Sequence, residues 1–246
     1  MTPESRAFAV DPAVGASIDL GDRQVAVIVR VNRKARRLIV RVDALAGVVL
    51  VTSPSKRALP EALRFAQTKA DWIRRQFDHG ETPRPFGPGA LCPYRGVFHK
   101  VMLEGSSRTP VRRIEEPEPL LLVGGDAAHV NRRLSDWLKH EARREIAARV
   151  EIHAATLGRR VVRISVRDQA SRWGSCSGRG ALSFSWRLIL APPDMLDSVA
   201  AHECAHLVHL DHSPAFWRTV ASLGVDIDGS RAWFRRHGDS LRAWGV

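Results

Sequence analysis

The stretch HECAHLVHLDH, residues 202–212, contains four of the ten histidines of the chain and a glutamate directly after the first of them. On a helix, side chains four residues apart leave the same face one turn apart, so His202 and His206 can bind one zinc ion through their imidazole nitrogens. Glu203 adjoins the first of these ligands, where its carboxylate can activate a water molecule without binding the metal itself. The stretch therefore predicts a helix that carries a site for one zinc ion per chain.

Two further histidines compete for the third ligand position. His209 shares the helix face, but it lies seven residues beyond His202, which is a rise of about 10.5 Å along a helix axis. One zinc ion cannot bond both ends of that span and His206 as well. The letters LDHSP, residues 210–214, predict that the helix ends and the chain turns back, which places His212 in the turn. We therefore predict His212 as the third ligand, with His209 outside the ligand set.

The rest of the second half has the patterns of a long helix, two strands and three shorter helices. Asp126 is predicted to cap the long helix, and Gly158 to end it. Strands are predicted over 161–166 and 181–190, the second because apolar and polar residues alternate cleanly along it. We expect the edge of the 181–190 strand to align an extended peptide by main-chain pairing. The three shorter helices are predicted to start at Asp194, Ser213 and Ser230.

The first half is richer in strand patterns. Residues 1–16 are predicted to form a loose leader, and residues 17–125 a β-rich N-terminal subdomain with one helix. Residues 126–246 then form the second subdomain, and together they are expected to make one continuous domain, 17–246. The N-terminal strands are predicted over 24–31, 37–42, 47–51, 95–103 and 119–125, and the helix over 55–77. The pattern as a whole predicts an α+β fold.

Composition limits the class of protein and its compartment. With 44% hydrophobic and 26% charged residues, the chain has the balance of a folded globular protein, not of a disordered one. No apolar run approaches the roughly 18 residues of a membrane-spanning helix, and the N-terminus lacks the pattern of a signal peptide. Cys92, Cys176 and Cys204 are too few and too far apart for a disulfide framework, which predicts a cytoplasmic protein without a membrane partner.

The formal net charge of +12 raises the question of a nucleic-acid partner. The basic residues are spread along the chain in runs no longer than three, instead of forming one patch. A scattered, solvated charge is therefore the favoured interpretation, and nucleic-acid binding is the alternative. Composition does not indicate an oligomeric state.

Residues 171–217 carry a resemblance to a known family. The segment contains, in order, RWGSC, WRL, HExxH and HSPAFW, and with these motifs at their spacing it resembles the YgjP-like metallopeptidases, which are related to the SprT-like and WLM zinc proteases. The resemblance extends over nearly the whole chain and is weaker before residue 160. Two positions depart from the family's usual residues: Ser198 stands where tyrosine is common and Cys204 where leucine is common. We predict that Cys204 is a buried structural thiol.

The resemblance implies a fold and a set of functional residues. The fold would be a zincin-like core with a long helix, antiparallel strands and an HExxH active-site helix. By position in the motifs, His202, His206 and His212 would bind zinc, and Glu203 would be the catalytic acid/base. These assignments agree with the spacing argument above.

The RWGSC segment, residues 172–176, has two interpretations. The favoured one is a tight turn between two strands, in which Gly174 supplies backbone freedom and Trp173 lies in the core. In the other, Arg172 or the backbone amides lie near the metal and stabilise an oxyanion or an acidic group. Arg172 and Ser175 are therefore candidate contacts to the substrate or the transition state. Cys176 as a fourth, inhibitory zinc ligand is not favoured.

Taken together, these features predict a zinc-dependent metallopeptidase with a polypeptide substrate. Some members of the family are described as nucleoside-triphosphate pyrophosphatases, so zinc-dependent hydrolysis of nucleotides is one alternative, although the chain contains no GxxxxGKS phosphate loop. A DNA-associated protease of the SprT-like kind is a second alternative. A non-catalytic, zinc-stabilised adaptor is a third, but Glu203 argues against it, because structural zinc is usually closed by four protein ligands.

Overall fold

A computed structural model of the protein describes residues 16–44, 46–78, 80–169 and 172–246. The chain divides into two compact units, Met1–Thr82 and Pro83–Val246. The predicted leader, residues 1–16, lies outside the described residues apart from Ala16.

The described residues of the first unit form a mixed four-stranded sheet and two α-helices. Its elements are β1 (Ser17–Asp19), β2 (Gln24–Val31), β3 (Ile39–Asp43), β4 (Val48–Ser53), α1 (Leu59–Gln67) and α2 (Ala70–Asp78). The strand order is β1-β2-β4-β3, with β2 parallel to β4, and alternate valines of both strands form a core with the helices. The single helix predicted over 55–77 is interrupted at Thr68 and Lys69. The hydroxyl of Thr68 donates a hydrogen bond to the carbonyl of Phe65 (2.7 Å), which helps to end α1 there.

The second unit begins with another mixed sheet. It consists of β5 (Leu91–Tyr94), β6 (Val97–Leu103), β7 (Arg112–Ile114) and β8 (Leu120–Val123), in the order β5-β6-β8-β7. Arg95 and Gly96 join β5 to β6 with positive φ at both residues, as a two-residue hairpin turn requires. The apolar residues of β6 and β8 share one core with the long helix that follows. This shared core is why the chain divides at Thr82 and not at the predicted 125/126.

The remaining elements of the second unit surround the 202–212 stretch. They are α3 (Val130–Thr156), β9 (Arg163–Arg167), β10 (Gly174–Cys176), β11 (Ala181–Ser185), α4 (Pro193–Ala205), α5 (Pro214–Ser222) and α6 (Ile227–Arg242). The three strands form a sheet in the order β10-β11-β9, in which β11 is antiparallel to β10 and parallel to β9. The described residues therefore have the α+β character that the sequence predicts, but this sheet is mixed and not purely antiparallel.

The strand predicted over 181–190 ends at Ser185. Residues 186–190 form a 3-10 helix whose side chains are all buried. The alternation misleads here because Arg187, one of its polar positions, is itself buried. The Nε of Arg187 donates to the carbonyl of Trp244 (3.0 Å), and its guanidinium pairs with Asp168.

The predicted starts of the last helices have different outcomes. The start at Ser213 is confirmed, because its hydroxyl accepts a hydrogen bond from the backbone N–H of Phe216 (3.4 Å) and caps α5. The start at Ser230 is wrong. α6 begins at Ile227, and the carboxylate of Asp226 accepts from the N–H of Gly229 (2.9 Å). Within the described residues, no helix has both the length and the apolar character needed to cross a membrane.

Candidate metal centre

Three of the four clustered histidines meet at the C-terminal end of α4. His202 lies in the last turn of this helix, His206 is its C-terminal cap, and His212 lies in the chain segment that leads into α5. Their candidate ligand nitrogens all lie within 4.8 Å of one another, and the Nε2 atoms of His202 and His212 are 3.2 Å apart. Because the helix stops at Ala205, the chain can turn back and bring the third imidazole to the first two.

The orientation of His206 is set by the backbone of His209. The Nδ1 of His206 is 2.9 Å from the carbonyl oxygen of His209. A carbonyl oxygen can only accept, so Nδ1 carries the proton and Nε2 keeps its lone pair for a ligand. His209 is outside the histidine cluster, and it contributes to this arrangement through its main chain.

The environment keeps two of these imidazoles in the neutral form that binds metals. Burial, together with the smaller effects of the neighbouring His206, His212 and Arg231, lowers the pKa of His202 to about 4. Burial also lowers the pKa of His206, against the hydrogen bond to His209, which raises it. Three convergent nitrogens with at least two rings held neutral fit a divalent metal ion such as zinc.

Glu203 is a buried carboxylate on the same helix turn, only 6% exposed. It packs directly on Gly174 of β10: a Cβ atom at Gly174 would lie 2.5 Å from Cγ and 2.6 Å from Oε1 of Glu203. Burial raises the pKa of Glu203 to about 7, and the positive charge of Arg172 opposes this shift. Glu203 is therefore confined beside the histidine cluster, with a pKa near neutrality.

Comparison with known protein families gives a match over most of the chain. The family model of the YgjP-like metallopeptidase domain matches residues 36–237. The chain belongs to the YgjP-like family. No curated protein and no solved structure matches the chain. The match includes the three histidines and Glu203, and it identifies the chain as carrying a metallopeptidase domain.

In the RWGSC segment of this YgjP-like domain, Gly174–Cys176 form strand β10, so the predicted turn is wrong. Gly174 lies in β10 opposite Phe184, and its missing side chain makes room for Glu203. Arg172 is exposed and close enough to influence Glu203, whereas Ser175 is half-buried and pairs with Ser183. The turn itself comes later, where the N–H of residue 180 bonds to the carbonyl of residue 177.

Trp173, Cys176 and Cys204 make their packing contacts and hydrogen bonds outside the histidine cluster. Trp173 packs against Phe234 of α6, with ring centroids 5.0 Å apart. Cys176 is outside the histidine cluster, and its thiol donates to the carbonyl of Ser177 (3.3 Å). Cys204 is fully buried against α3, as predicted, and burial raises its pKa to about 12.

Among the described residues the sheet has two edge strands, β10 and β9, because β11 lies between them. The prediction that the 181–190 strand offers an edge for a peptide is therefore wrong, because β11 is paired on both sides. The carbonyl of Trp173 and the N–H of Ser177 both bond towards β11. Since main-chain groups alternate sides along a strand, those of Gly174 and Cys176 point away from β11, to the free edge beside Glu203.

A cavity of about 530 Å³ opens next to these groups. Its lining includes His202, Glu203 and Gly174 together with residues of α5 and α6. The residues from α5 and α6 could not be identified from the sequence. The only local signal for them is the aromatic pair in HSPAFW, and α6 reaches the cavity through tertiary packing alone.

Proposed function

We propose that the protein is a zinc-dependent metallopeptidase that hydrolyses peptide bonds with Glu203 as the acid/base. The observation that carries the proposal is the joint placement of His202 and Glu203 in the wall of one cavity, beside His206 and His212. A purely structural metal site does not need a buried carboxylate next to its ligands and a cavity in front of them.

In this proposal the zinc ligands are His202, His206 and His212. A zinc ion held by three protein ligands keeps an open position and, when bound, polarises a carbonyl and lowers the pKa of water. The protein's own contribution is orientation: the carbonyl of His209 fixes the ring of His206, and burial keeps His202 neutral.

Glu203 would move the proton. Its carboxylate would take a proton from the attacking water and hold it on an Oε atom, then deliver it to the nitrogen of the leaving amine. A group with a pKa of about 7 is present in both forms near neutral pH, which suits this double role. Arg172 would keep part of the Glu203 population ionised and ready to accept.

The free edge of β10 would align the substrate. An extended peptide paired with the main-chain groups of Gly174 and Cys176 runs past Glu203, which brings a scissile carbonyl to the cluster without any requirement on sequence. Ser175 would then stay a candidate contact beside the bound peptide. We place this activity in the cytoplasm, because all three cysteines are free thiols.

The proposal is tested by parallel assays of zinc-loaded protein and of the Glu203→Gln variant. The substrates are an unfolded protein with and without DNA, and nucleoside triphosphates. We expect hydrolysis of the unfolded protein, independent of DNA and lost in the variant. Hydrolysis of nucleotides alone would support the pyrophosphatase alternative, and DNA-dependent proteolysis would support the SprT-like one.

A further inference from the structure

The cavity beside the histidine cluster has an apolar wall. The side chains that form this wall are Val199, Trp217, Val220, Val225, Ile227 and Phe234. A volume of about 530 Å³ with such a lining suits one or two large apolar side chains. Glu203 lines the same cavity, so a group bound there would lie near the bond that the proposed function cleaves.

Two arginines of α6 reach the same cavity. Arg231 and Arg235 are one helical turn apart, and besides Glu203 they are the lining residues that carry a full charge. Both are exposed, and the ion pairs found among the described residues include neither of them. Two exposed cations that line an apolar cavity and make no ion pair within the described part of the chain are suited to an anionic group on a ligand.

Arg231 stacks on the ring of Trp217, which in turn contacts the histidine cluster. Its guanidinium carbon lies 4.1 Å from the centroid of Trp217, and that ring is 5.6 Å from both His202 and His212. Stacking on the indole holds the guanidinium near the cluster while its N–H donors remain available.

We infer that this cavity selects polypeptides in which a large apolar residue is accompanied by a carboxylate, which Arg231 and Arg235 bind. The inference rests on the proposed function, since it takes the ligand to be the polypeptide that is cleaved. The carboxylate has two sources, a Glu or Asp side chain or the C-terminus of the peptide. A planar guanidinium binds either one through paired hydrogen bonds.

Binding to the Glu203→Gln variant tests this inference without relying on turnover. The probes are short N-terminally fluorescent peptides with Phe followed by Glu, Gln or Lys, all amidated at the C-terminus. A fourth peptide has Gln and a free C-terminal carboxylate. Fluorescence anisotropy is read with zinc-loaded and metal-free protein. We expect the Glu peptide or the free-carboxylate peptide to bind about two- to fivefold more tightly than amidated Gln, the range of one exposed ion pair. The Lys peptide should bind most weakly.

Substitutions on α6 then assign the preference. Introduced into the same background, Arg231→Gln should bring the carboxylate peptide to within about twofold of amidated Gln. Changing both Arg231 and Arg235 to Glu should reverse the order in favour of Lys. Arg236→Gln is the matched control, because Arg236 is an exposed arginine of the same helix that does not line the cavity. Circular dichroism of each variant checks that the helix is intact.

The outcomes separate this inference from the proposed function. If the wild type cleaves no peptide but carboxylate binding still depends on Arg231, the carboxylate preference stands as a binding property of the cavity and the peptidase proposal fails. If peptides are cleaved without preference for a carboxylate, or if Arg236→Gln has the same effect as Arg231→Gln, the inference is overturned and the peptidase proposal stands. Tighter, Arg231-dependent binding of ATP than of any peptide would also overturn it.

Discussion

Replacing Gly174 by alanine tests whether the close packing of β10 on Glu203 matters for activity. The added Cβ would lie 2.5 Å from Cγ of Glu203 and would have to reach an ordinary contact distance of 3.4 Å, so the carboxylate must move by about 0.9 Å. Misplacement of a catalytic group by about 1 Å can lower a rate by about 10²-fold. Overpacking should also cost about 1–3 kcal/mol of unfolding free energy. We therefore expect kcat to fall about 10²-fold in a protein that still folds and binds zinc.

The assay for Gly174→Ala combines hydrolysis of an unfolded protein, zinc content and thermal unfolding. Gly178→Ala is the matched control, because it lies in the hairpin turn after β10 and its nearest neighbour would be 4.0 Å away, at Leu210. This control should keep normal activity. If Gly174→Ala has the kcat of the wild type, Glu203 is not confined by β10 in the way described, and the reasoning is refuted.

Three further substitutions probe a proposed metal ligand, the proposed catalytic carboxylate and a buried arginine. His212→Ala should lose bound zinc while His209→Ala keeps it, because His209 contacts the cluster through its backbone carbonyl. If metal analysis gives the opposite result, the proposed ligand set is wrong. Glu203→Gln should retain zinc and lose hydrolysis by at least about 10², so near-normal turnover would remove Glu203 from the mechanism. Arg187→Ala should lower the unfolding free energy by about 1–3 kcal/mol, because the carbonyl of Trp244 loses a buried hydrogen-bond donor. Denaturant titration measures this change, and unchanged stability would contradict the prediction.

The histidine cluster could be found from the sequence because its geometry is local. His202, His206 and His212 lie within eleven residues, and helix spacing together with one turn is enough to bring them together. The confinement of Glu203 by Gly174 is not local, since the two residues are 29 positions apart and meet only because α4 packs on β10. The same holds for Arg231, which reaches the cavity from a separate helix.

The fold shows the same division between local and non-local signals. The strand predicted over 24–31 coincides with β2, because its alternation reflects one buried and one exposed face. The prediction over 186–190 failed, because a buried arginine satisfied by Trp244 and Asp168 looks in the sequence like a solvent-facing position. β7 was not predicted, because a strand of three residues with two arginines carries no periodic signal.

Because of the short reversal between α4 and α5, a metal ion bound there, as proposed, would also stabilise the structure. Ala205, Phe216 and Val220 form a small apolar cluster of their own, apart from the main core of the second unit. A metal ion bound by His202, His206 and His212, as proposed, would therefore cross-link the segment after α4 to that helix. We expect its release to leave the rest of the unit folded while this segment opens and closes locally. Cleavage of this segment by an added protease would therefore report the fraction of the protein that has no bound metal.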